Sequence, residues 1–239
     1  MTKQDMVRRI IEARGLEIHD VDAGEEPFLY ASGNWGPIYV SIKGLVSVTK
    51  PVKLMKVLTA HLAVKVAEAA PKMDFLAANV SGGMVPGWNL SEALEPFLGR
   101  PVPYVYVRET RKKGGQKELI TGLATNPDLT PGMNCLIHEE LVNFAETNVN
   151  SASALRAADY EVTHASTILY YDNPVANAKL KEEGIEMIAL LTMPELIDIA
   201  EQYELRTPRQ IAAYREFKDD PLGWQAKRGL KPVASGGTQ

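Results

Sequence analysis

The chain has 239 residues, of which 26 are Lys or Arg and 30 are Asp or Glu, so its formal net charge at pH 7 is −4. Hydrophobic residues make up 45% of the sequence and charged residues 23%, which excludes a disordered chain, a collagen and a disulfide-rich scaffold. The acidic excess argues against a general nucleic-acid-binding protein, whose surface is normally basic. The length suits one large α/β domain, alone or with a small additional piece.

Cysteine content and hydropathy favour a cytoplasmic protein. Cys135 is the only cysteine of the sequence, so no disulfide can form within the chain, which fits a reducing cytosol. It lies in an apolar run, where a cysteine is usually a core residue rather than a nucleophile. No apolar stretch reaches the roughly 18 residues of a membrane span. Residues 1–9 are charged and lack the apolar region of a secretory signal. We therefore expect neither a membrane nor a nucleic acid as a partner.

The first part of the sequence predicts a helix, two short strands and a longer helix. Residues 1–15 have an amphipathic pattern, and Thr2 is the predicted cap. The apolar runs 28–30 and 38–40 flank turn residues and are predicted strands. The longer helix is predicted to begin near Thr49 and to carry apolar residues at helical spacing.

From residue 75 onward, short apolar runs alternate with helical patterns. The predicted strands are 75–80, 104–107, 135–137, 166–171 and 185–191, and the predicted helices between them are 85–98, 148–158 and 176–183. Thr192 with Glu195, and Thr207 with Gln210, have the spacing of capping boxes that open two further helices. This alternation predicts a parallel sheet covered by helices on both faces.

Ligands of such sheets bind beyond the carboxyl ends of the strands, which singles out three loops. The first loop consists of Ser81, Gly82, Gly83 and Met84. Its glycines would let backbone N–H groups approach an anion, although the same residues also suit an ordinary strand-to-helix turn. The second loop, 108–118, carries Arg108, Arg111, Lys112, Lys113 and Lys117 around two glycines. It is suited to closing over a polyanionic substrate, and the alternative is a solvated run of surface charge.

The third loop begins with His138, Glu139 and Glu140, which directly follow a predicted strand. Adjacent carboxylates at such a place suit a hydrated divalent cation or the hydroxyls of a sugar. The alternative is that one carboxylate caps the next element and the other is solvated. The sequence has no His-x-x-x-His, paired-cysteine or Walker pattern, so we predict no zinc site and no P-loop ATPase, and we assign no metal directly to protein ligands.

Taken in order, these motifs resemble the orotate phosphoribosyltransferases, a branch of the type I phosphoribosyltransferase family, from about Phe28 to Phe217. The matching segments are 28–33 with Pro37 and Tyr39, 81–86, 103–108 with the return at 121–122, 135–140, 188–196 and 213–217. The resemblance implies a parallel sheet core with a small N-terminal hood. It also implies transfer of ribose 5-phosphate from phosphoribosyl diphosphate to a base, with Mg²⁺ on the diphosphate. A homodimer is implied, in which each mobile loop serves the neighbouring site.

The resemblance also implies roles for single residues. Arg108 and Lys112 match catalytic cations of the mobile loop. The implied substrate-binding residues are Ser81, Gly82, Gly83, Met84, Lys117, Glu139, Glu140, Asn143, Glu146 and Thr147. Among them, the two adjacent glutamates would bind ribose hydroxyls, and residues 143–147 stand where the family holds the 5-phosphate.

Several positions depart from the family pattern, so we predict a degenerate phosphoribosyl diphosphate motif. The stretch 141–147 has no glycine where the family has a Thr- and Gly-rich turn. Glu109 and Gly114 replace a lysine and a histidine of the mobile loop, and Ala31 and Asn173 stand where cations would meet the orotate carboxylate. Three functions stay open: a divergent phosphoribosyltransferase, a non-catalytic structural or regulatory subunit, and a binding protein for a nucleotide or nucleoside that lacks a 5-phosphate.

The sequence predicts three parts. These are an N-terminal helix and hood over 1–45, a phosphoribosyltransferase-like core over 46–218, and a flexible tail over 219–239, which is rich in Lys, Gly and Ser from residue 225 onward.

Overall fold

The computed structural model describes residues 1–30, 33–108 and 119–232. The chain forms two compact units, which we call the terminal unit (Met1–Ser41 with Leu196–Gln239) and the central unit (Ile42–Glu195). Within the described ranges, no helix is both long and apolar enough to cross a bilayer.

The elements follow the alternation expected from the sequence. The first elements are α1 (Lys3–Glu12), β1 (Leu16–Ile18), β2 (Phe28–Leu29), β3 (Trp35–Gly36), β4 (Ile38–Val40) and α2 (Leu54–Ala69). The next are β5 (Phe75–Asn79), α3 (Met84–Leu98), β6 (Tyr104–Val107), β7 (Ile120–Thr121), β8 (Asn134–Val142) and α4 (Glu146–Arg156). The last are β9 (Glu161–Tyr170), α5 (Pro174–Glu182), β10 (Glu186–Thr192), α6 (Met193–Gln202), α7 (Pro208–Asp219) and α8 (Pro221–Lys227).

A six-stranded sheet forms the middle of the central unit, in the order β10–β9–β8–β5–β6–β7. All neighbouring pairs are parallel except β6 with β7, which is antiparallel. Every residue of β5 is buried, which explains why that strand is a continuous apolar run rather than an alternating pattern. The α/β fold class and the parallel sheet predicted from the sequence are confirmed.

Helices cover both faces of this sheet. On one face, Ala152 and Leu155 of α4 belong to the same buried cluster as Phe75 and Ile137. On the other face, α3 comes so close to β5 that a Cβ on Gly87 would lie 2.8 Å from the Cβ of Ala78. The two helices therefore lie on opposite sides, as in doubly wound sheets.

The terminal unit contains both ends of the described chain. The helix α1 opens with the predicted cap, since the Thr2 side chain and Asp5 form a capping box. In α7, Gln210 donates from Nε2 to the carbonyl of Ile18 at 2.7 Å, which ties the C-terminal helices to the N-terminal strands. Such bonds explain why the chain from Leu196 onward joins the N-terminal segment, and why the unit boundaries differ from the expected 45 and 218.

The first part of the segment that was expected to be a flexible tail is helical in the structure. Residues 221–227 form α8, whose Trp224 is buried and meets the ring of Phe217 edge-on with centroids 5.6 Å apart. The abundance of Lys, Gly and Ser near the C-terminus led to the prediction of a flexible tail, and the packing of Trp224 was not predicted. The last residues, 233–239, lie outside the described part of the chain.

Two element boundaries near functional loops also differ from expectation. The helix α2 begins at Leu54 rather than near Thr49, and no side chain caps it. The strand β8 continues to Val142, because β9 runs beside it and pairs as far as Val142 with Tyr170. The acidic pair therefore lies inside a strand and not in the loop that follows it.

Candidate active site

The order of the strands creates a crevice between the ends of β5 and β8. These two strands are neighbours, but β5 continues through α3 to β6 on one side, whereas β8 continues through α4 to β9 on the other. The connections diverge and leave an opening at the carboxyl edge of the sheet, where doubly wound folds bind their ligands. The three loops singled out in the sequence follow β5, β6 and β8, which are parallel and therefore end at this edge.

The loop after β5 turns sharply into α3. The Gly83 N–H donates to the carbonyl of Asn79 at 3.1 Å, and the Gly87 N–H donates to the carbonyl of Gly83 at 2.7 Å. A Cβ on Gly83 would lie 2.8 Å from the carbonyl oxygens of both Asn79 and His138, so only glycine fits there. The predicted residues Ser81, Gly82, Gly83 and Met84 thus form a tight turn at the start of α3, whose N-cap has no side-chain hydrogen bond.

The strand β8 sends its two glutamates to opposite faces of the sheet, because successive side chains of a strand alternate. Glu139 is on the α4 face, where its Oε2 accepts a hydrogen bond from Asn79 Nδ2 at 2.9 Å. Glu140 is on the α3 face, where its carboxylate lies against Gly82. The two carboxylates therefore have different neighbours.

Asn79 is a site residue that the sequence analysis did not single out. It is buried at the end of β5, and its Oδ1 accepts a hydrogen bond from Ser151 Oγ of α4 at 2.7 Å. Because the hydroxyl donates to Oδ1, the amide NH₂ group is directed to Glu139. Asn79 therefore fixes the Glu139 carboxylate relative to both β5 and α4. The sequence does contain a signal for this residue, because Asn79 is a polar residue at the end of the apolar run that forms β5.

Glu140 has an unusual environment. Its Oε2 is buried and finds no hydrogen-bond partner within the described part of the chain. Burial raises the pKa of this carboxyl group, and its own backbone N–H together with the positive charge of Lys43 lowers it in part. Gly82 accommodates the carboxylate because a Cβ on that residue would overlap it.

The segment between β8 and α4 has a left-handed backbone conformation that usually requires glycine, but the residue there is Ala145. Ala145 has φ of 61° and stands at the N-cap of α4, where its side chain makes no capping bond. Asn143 is exposed, whereas Thr147 is half-buried in the first turn of the helix. Glu146 points to α5, where its Oε1 lies 2.8 Å from Lys179 Nζ.

The side chain of Asn173, one of the positions that depart from the family pattern, makes hydrogen bonds that stabilise the fold. Its Oδ1 accepts the Ala176 N–H at 2.9 Å and so caps α5. Its Nδ2 donates to the carbonyl of Asn143 at 2.7 Å. Both hydrogen-bonding groups of the amide are therefore engaged in holding the 143–145 turn to α5.

Of the predicted basic loop, Arg108 is the member within the described residues. Its guanidinium group lies 5.1 Å from the centre of the Tyr106 ring and donates to the Tyr106 hydroxyl at 3.3 Å. The other predicted site residues of this loop, Lys112 and Lys117, lie outside the described residues.

Two candidate reactive side chains are core residues. Cys135 is fully buried, and burial raises the pKa of its thiol. His138 is also fully buried, and burial lowers the pKa of its imidazole to about 3, which keeps the ring neutral. Its Nδ1 lies 3.0 Å from Ser166 Oγ. In the described ranges, no group of three or more His, Cys, Asp and Glu side chains is arranged to hold a metal ion.

The chain is similar to known enzymes over most of its length. It is 25% identical over 202 residues to the orotate phosphoribosyltransferase of Streptococcus sanguinis, which covers 84% of this chain and 90% of that protein. It is 27% identical over 199 residues to the orotate phosphoribosyltransferase of Bacteroides fragilis, with coverage of 83% and 87%. No protein-family model matches the chain.

Solved structures share the fold. A chain of UMP synthase from Leishmania donovani matches with a TM-score of 0.70 at 22% identity, covering 91% of this chain and 42% of that one. The orotate phosphoribosyltransferase from Aeropyrum pernix matches with a TM-score of 0.63 at 16% identity, covering 84% and 99%. At these identities the likeness shows the fold, and it agrees with the parallel sheet described above.

Proposed function

We propose that this chain transfers ribose 5-phosphate from phosphoribosyl diphosphate to a base, with orotate a poor acceptor, because it is similar over most of its length to orotate phosphoribosyltransferases. The observation that carries the proposal is the crevice between β5 and β8. There a glycine loop, a pair of carboxylates and the beginning of α4 come to one edge of the sheet.

The charges at this edge suit the reaction. In the transfer, the bond between C1 of the ribose and the diphosphate oxygen breaks, and the diphosphate leaves with the electron pair. A nitrogen of the base bonds to C1 and releases its proton to the diphosphate or to solvent. Positive charge develops on the ribose ring, and the carboxylates of Glu139 and Glu140 would stabilise it and bind the hydroxyls. Arg108, Lys112 and Lys117 would neutralise the leaving diphosphate.

The residues of the site fit a magnesium ion that is held by the substrate. The described carboxylates do not form a ligand cluster of their own, so we assign the ion to the diphosphate. When bound there, Mg²⁺ neutralises charge on the leaving group. The chain supplies the turn of Ser81, Gly82, Gly83 and Met84 beside that group.

Orotate is expected to be a poor acceptor for an electrostatic reason. A carboxylate that leaves water without a cationic partner costs several kcal/mol. Asn173 replaces the expected cation, and its amide is already used to cap α5 and to bond Asn143. A base without a carboxylate avoids this cost.

A second candidate function is a non-catalytic relative that binds a nucleotide or serves as a regulatory subunit. The observation that favours it is Glu140, whose carboxylate rests on the glycine loop. In such a protein the crevice between β5 and β8 would bind a nucleotide without catalysing transfer.

The experiment is an assay of the full chain with phosphoribosyl diphosphate, Mg²⁺ and a panel of purine and pyrimidine bases, read by mass spectrometry of nucleotides. We expect a nucleotide from at least one base and little or none from orotate. Absence of every nucleotide, with released diphosphate at the blank level, would favour the second candidate.

A matched pair of variants tests the basic loop in the same assay. Lys112→Ala is expected to lower the rate by about ten- to a hundredfold, as the loss of a charge-assisted contact does. Lys113→Ala removes the same charge one residue away and is expected to change the rate little. Equal rates for both variants and the parent chain would contradict the role of Lys112.

A further inference from the structure

The carboxylate of Glu140 lies against Gly82, in the loop that was predicted to bind an anion. The carboxylate fills the space that a side chain at position 82 would occupy. This glycine, which the sequence analysis assigned to a bound anion, therefore lies against an anion of the protein itself.

The environment of the carboxylate is incomplete. Within the described residues, Glu140 Oε2 is buried without a hydrogen-bond partner. Leaving a buried carboxylate oxygen unbonded is unfavourable, so this resting position is one from which the side chain is readily displaced. Lys43, whose charge already attracts the carboxylate, gives the displaced group a nearby cation.

The neighbouring Glu139 differs from Glu140 in its position relative to the loop and in its hydrogen bonding. Glu139 lies on the opposite face of β8 and is bonded by Asn79, which Ser151 holds in turn. The two carboxylates carry the same charge at adjacent positions of one strand, but Glu140 is the one placed against the loop.

We propose that Glu140 is a built-in occupant of the anion-binding loop, which rests against Gly82 and has to move away before a diphosphate group binds there. This inference deepens the proposed function and rests on it, because diphosphate is the leaving group of the transfer. Two anions cannot share the approach to Gly82 without strong repulsion. The loop therefore discriminates against free diphosphate and accepts it only when Glu140 has been displaced or neutralised.

The test is calorimetric titration of the full chain with inorganic pyrophosphate in the presence of Mg²⁺. The Glu140→Gln variant keeps the size of the side chain and removes its charge, and we expect it to bind pyrophosphate about tenfold or more tightly than the parent chain. Glu139→Gln is the matched control, since it removes one charge from the adjacent position. We expect its affinity to rise by less than about threefold.

Two results would overturn the proposal. One is an unchanged or weaker affinity in Glu140→Gln, and the other is an equal gain in both variants, which would indicate general charge repulsion. If Glu140→Gln does not fold, Glu140→Asp is titrated with pyrophosphate in its place. Its side chain is shorter by one methylene, so its carboxylate lies farther from Gly82, and we expect its affinity for pyrophosphate to rise as well. The titration needs no base, so it tests the role of Glu140 even in a chain that has no transfer activity.

Discussion

Adjacent glycines of one loop have different reasons to be glycine. At Gly83 a side chain would strike the carbonyl oxygens of Asn79 and His138, which belong to two paired strands and cannot move apart. At Gly82 it would strike the far end of the Glu140 side chain, which can rotate away. The fold therefore depends on position 83, whereas position 82 matters for what approaches the loop.

We expect Gly83→Ala to lower the free energy of unfolding by about 2 kcal/mol or more, in the range of overpacked interiors. Gly82→Ala is expected to cost less than about 1 kcal/mol, because only a flexible side chain has to move. Urea denaturation of both variants measures the difference. Equal losses of stability would show that the two positions are equally constrained.

His138 makes stability depend on pH. In the folded chain burial lowers the pKa of its imidazole from 6.5 to about 3. The unfolded chain therefore binds a proton below about pH 6.5 that the folded chain does not bind. The contribution of the neutral ring is fully present above that pH and is lost as the pH falls towards 3.

The slope of stability against pH tests this account. Between pH 6.5 and 5 we expect the free energy of unfolding to fall by up to about 1.4 kcal/mol per pH unit from this residue alone. His138→Leu removes the ionisable ring from the buried position and is expected to reduce the slope accordingly. A variant with the slope of the parent chain would show that His138 is not responsible.

Among single residues, those with a local signature could be interpreted from the sequence. The caps at Thr2 and Thr207 are confirmed because their hydrogen bonds span three residues. Asn79 was missed because its partners, Glu139 and Ser151, are 60 and 72 residues away. Such a network becomes visible only when the strand order is known.

At the scale of an element, the turn before α4 has the conformation of a glycine turn with an alanine in it. A residue other than glycine at φ of 61° carries a cost of about 1 kcal/mol. The side chain of Ala145 is also part of the buried cluster under α4, so removing it loses some packing. Glu146 is engaged with Lys179, a largely exposed pair that adds little stability.

We predict that the unmodified chain binds phosphoribosyl diphosphate more weakly than the low-micromolar range. Restoring a family-like turn with Asn143→Thr, Ala145→Gly and Glu146→Thr together is expected to raise that affinity, because glycine adopts the positive φ of this turn without strain and one negative charge beside the 5-phosphate is removed. Calorimetry compares the two proteins. As a control, Glu146→Thr alone separates the effect of charge from that of backbone shape. Low-micromolar binding by the unmodified chain would refute the loss of this phosphate site.

Element boundaries were predicted less well than element types. The alternation of strands and helices followed from apolar periodicity, which is a local property. The extra length of β8 depends on its pairing with β9, which no local pattern records. As a result the acidic pair was expected in a loop, and the separation of Glu139 from Glu140 by the strand's alternation was not foreseen.

For the whole molecule, the alternation of apolar runs with helical patterns was enough to predict the parallel sheet, and the order of motifs indicated the similarity to orotate phosphoribosyltransferases. The grouping of the C-terminal helices with the N-terminal segment was not predicted, because it depends on long-range bonds such as that of Gln210 with Ile18. The buried Trp224 likewise lies in the segment that was expected to be a flexible tail.

We predict a homodimer, as the family resemblance implies. On α3, Val85, Trp88 and Phe97 are exposed, and apolar surface of this kind is common at subunit contacts. Multi-angle light scattering at micromolar concentration is expected to give twice the mass of the 26.3 kDa chain. A monomer mass would contradict the prediction, and Trp88→Glu is expected to shift a dimer towards monomer if α3 forms the contact.

A crystal structure of the chain soaked with phosphoribosyl diphosphate and Mg²⁺ at millimolar concentration tests the central claim most directly. We expect the diphosphate against residues 81–84, the ribose beside Glu139, and the Glu140 carboxylate displaced from Gly82. A ligand bound elsewhere, or an empty crevice at saturating concentration with Glu140 still on Gly82, would contradict the proposed function.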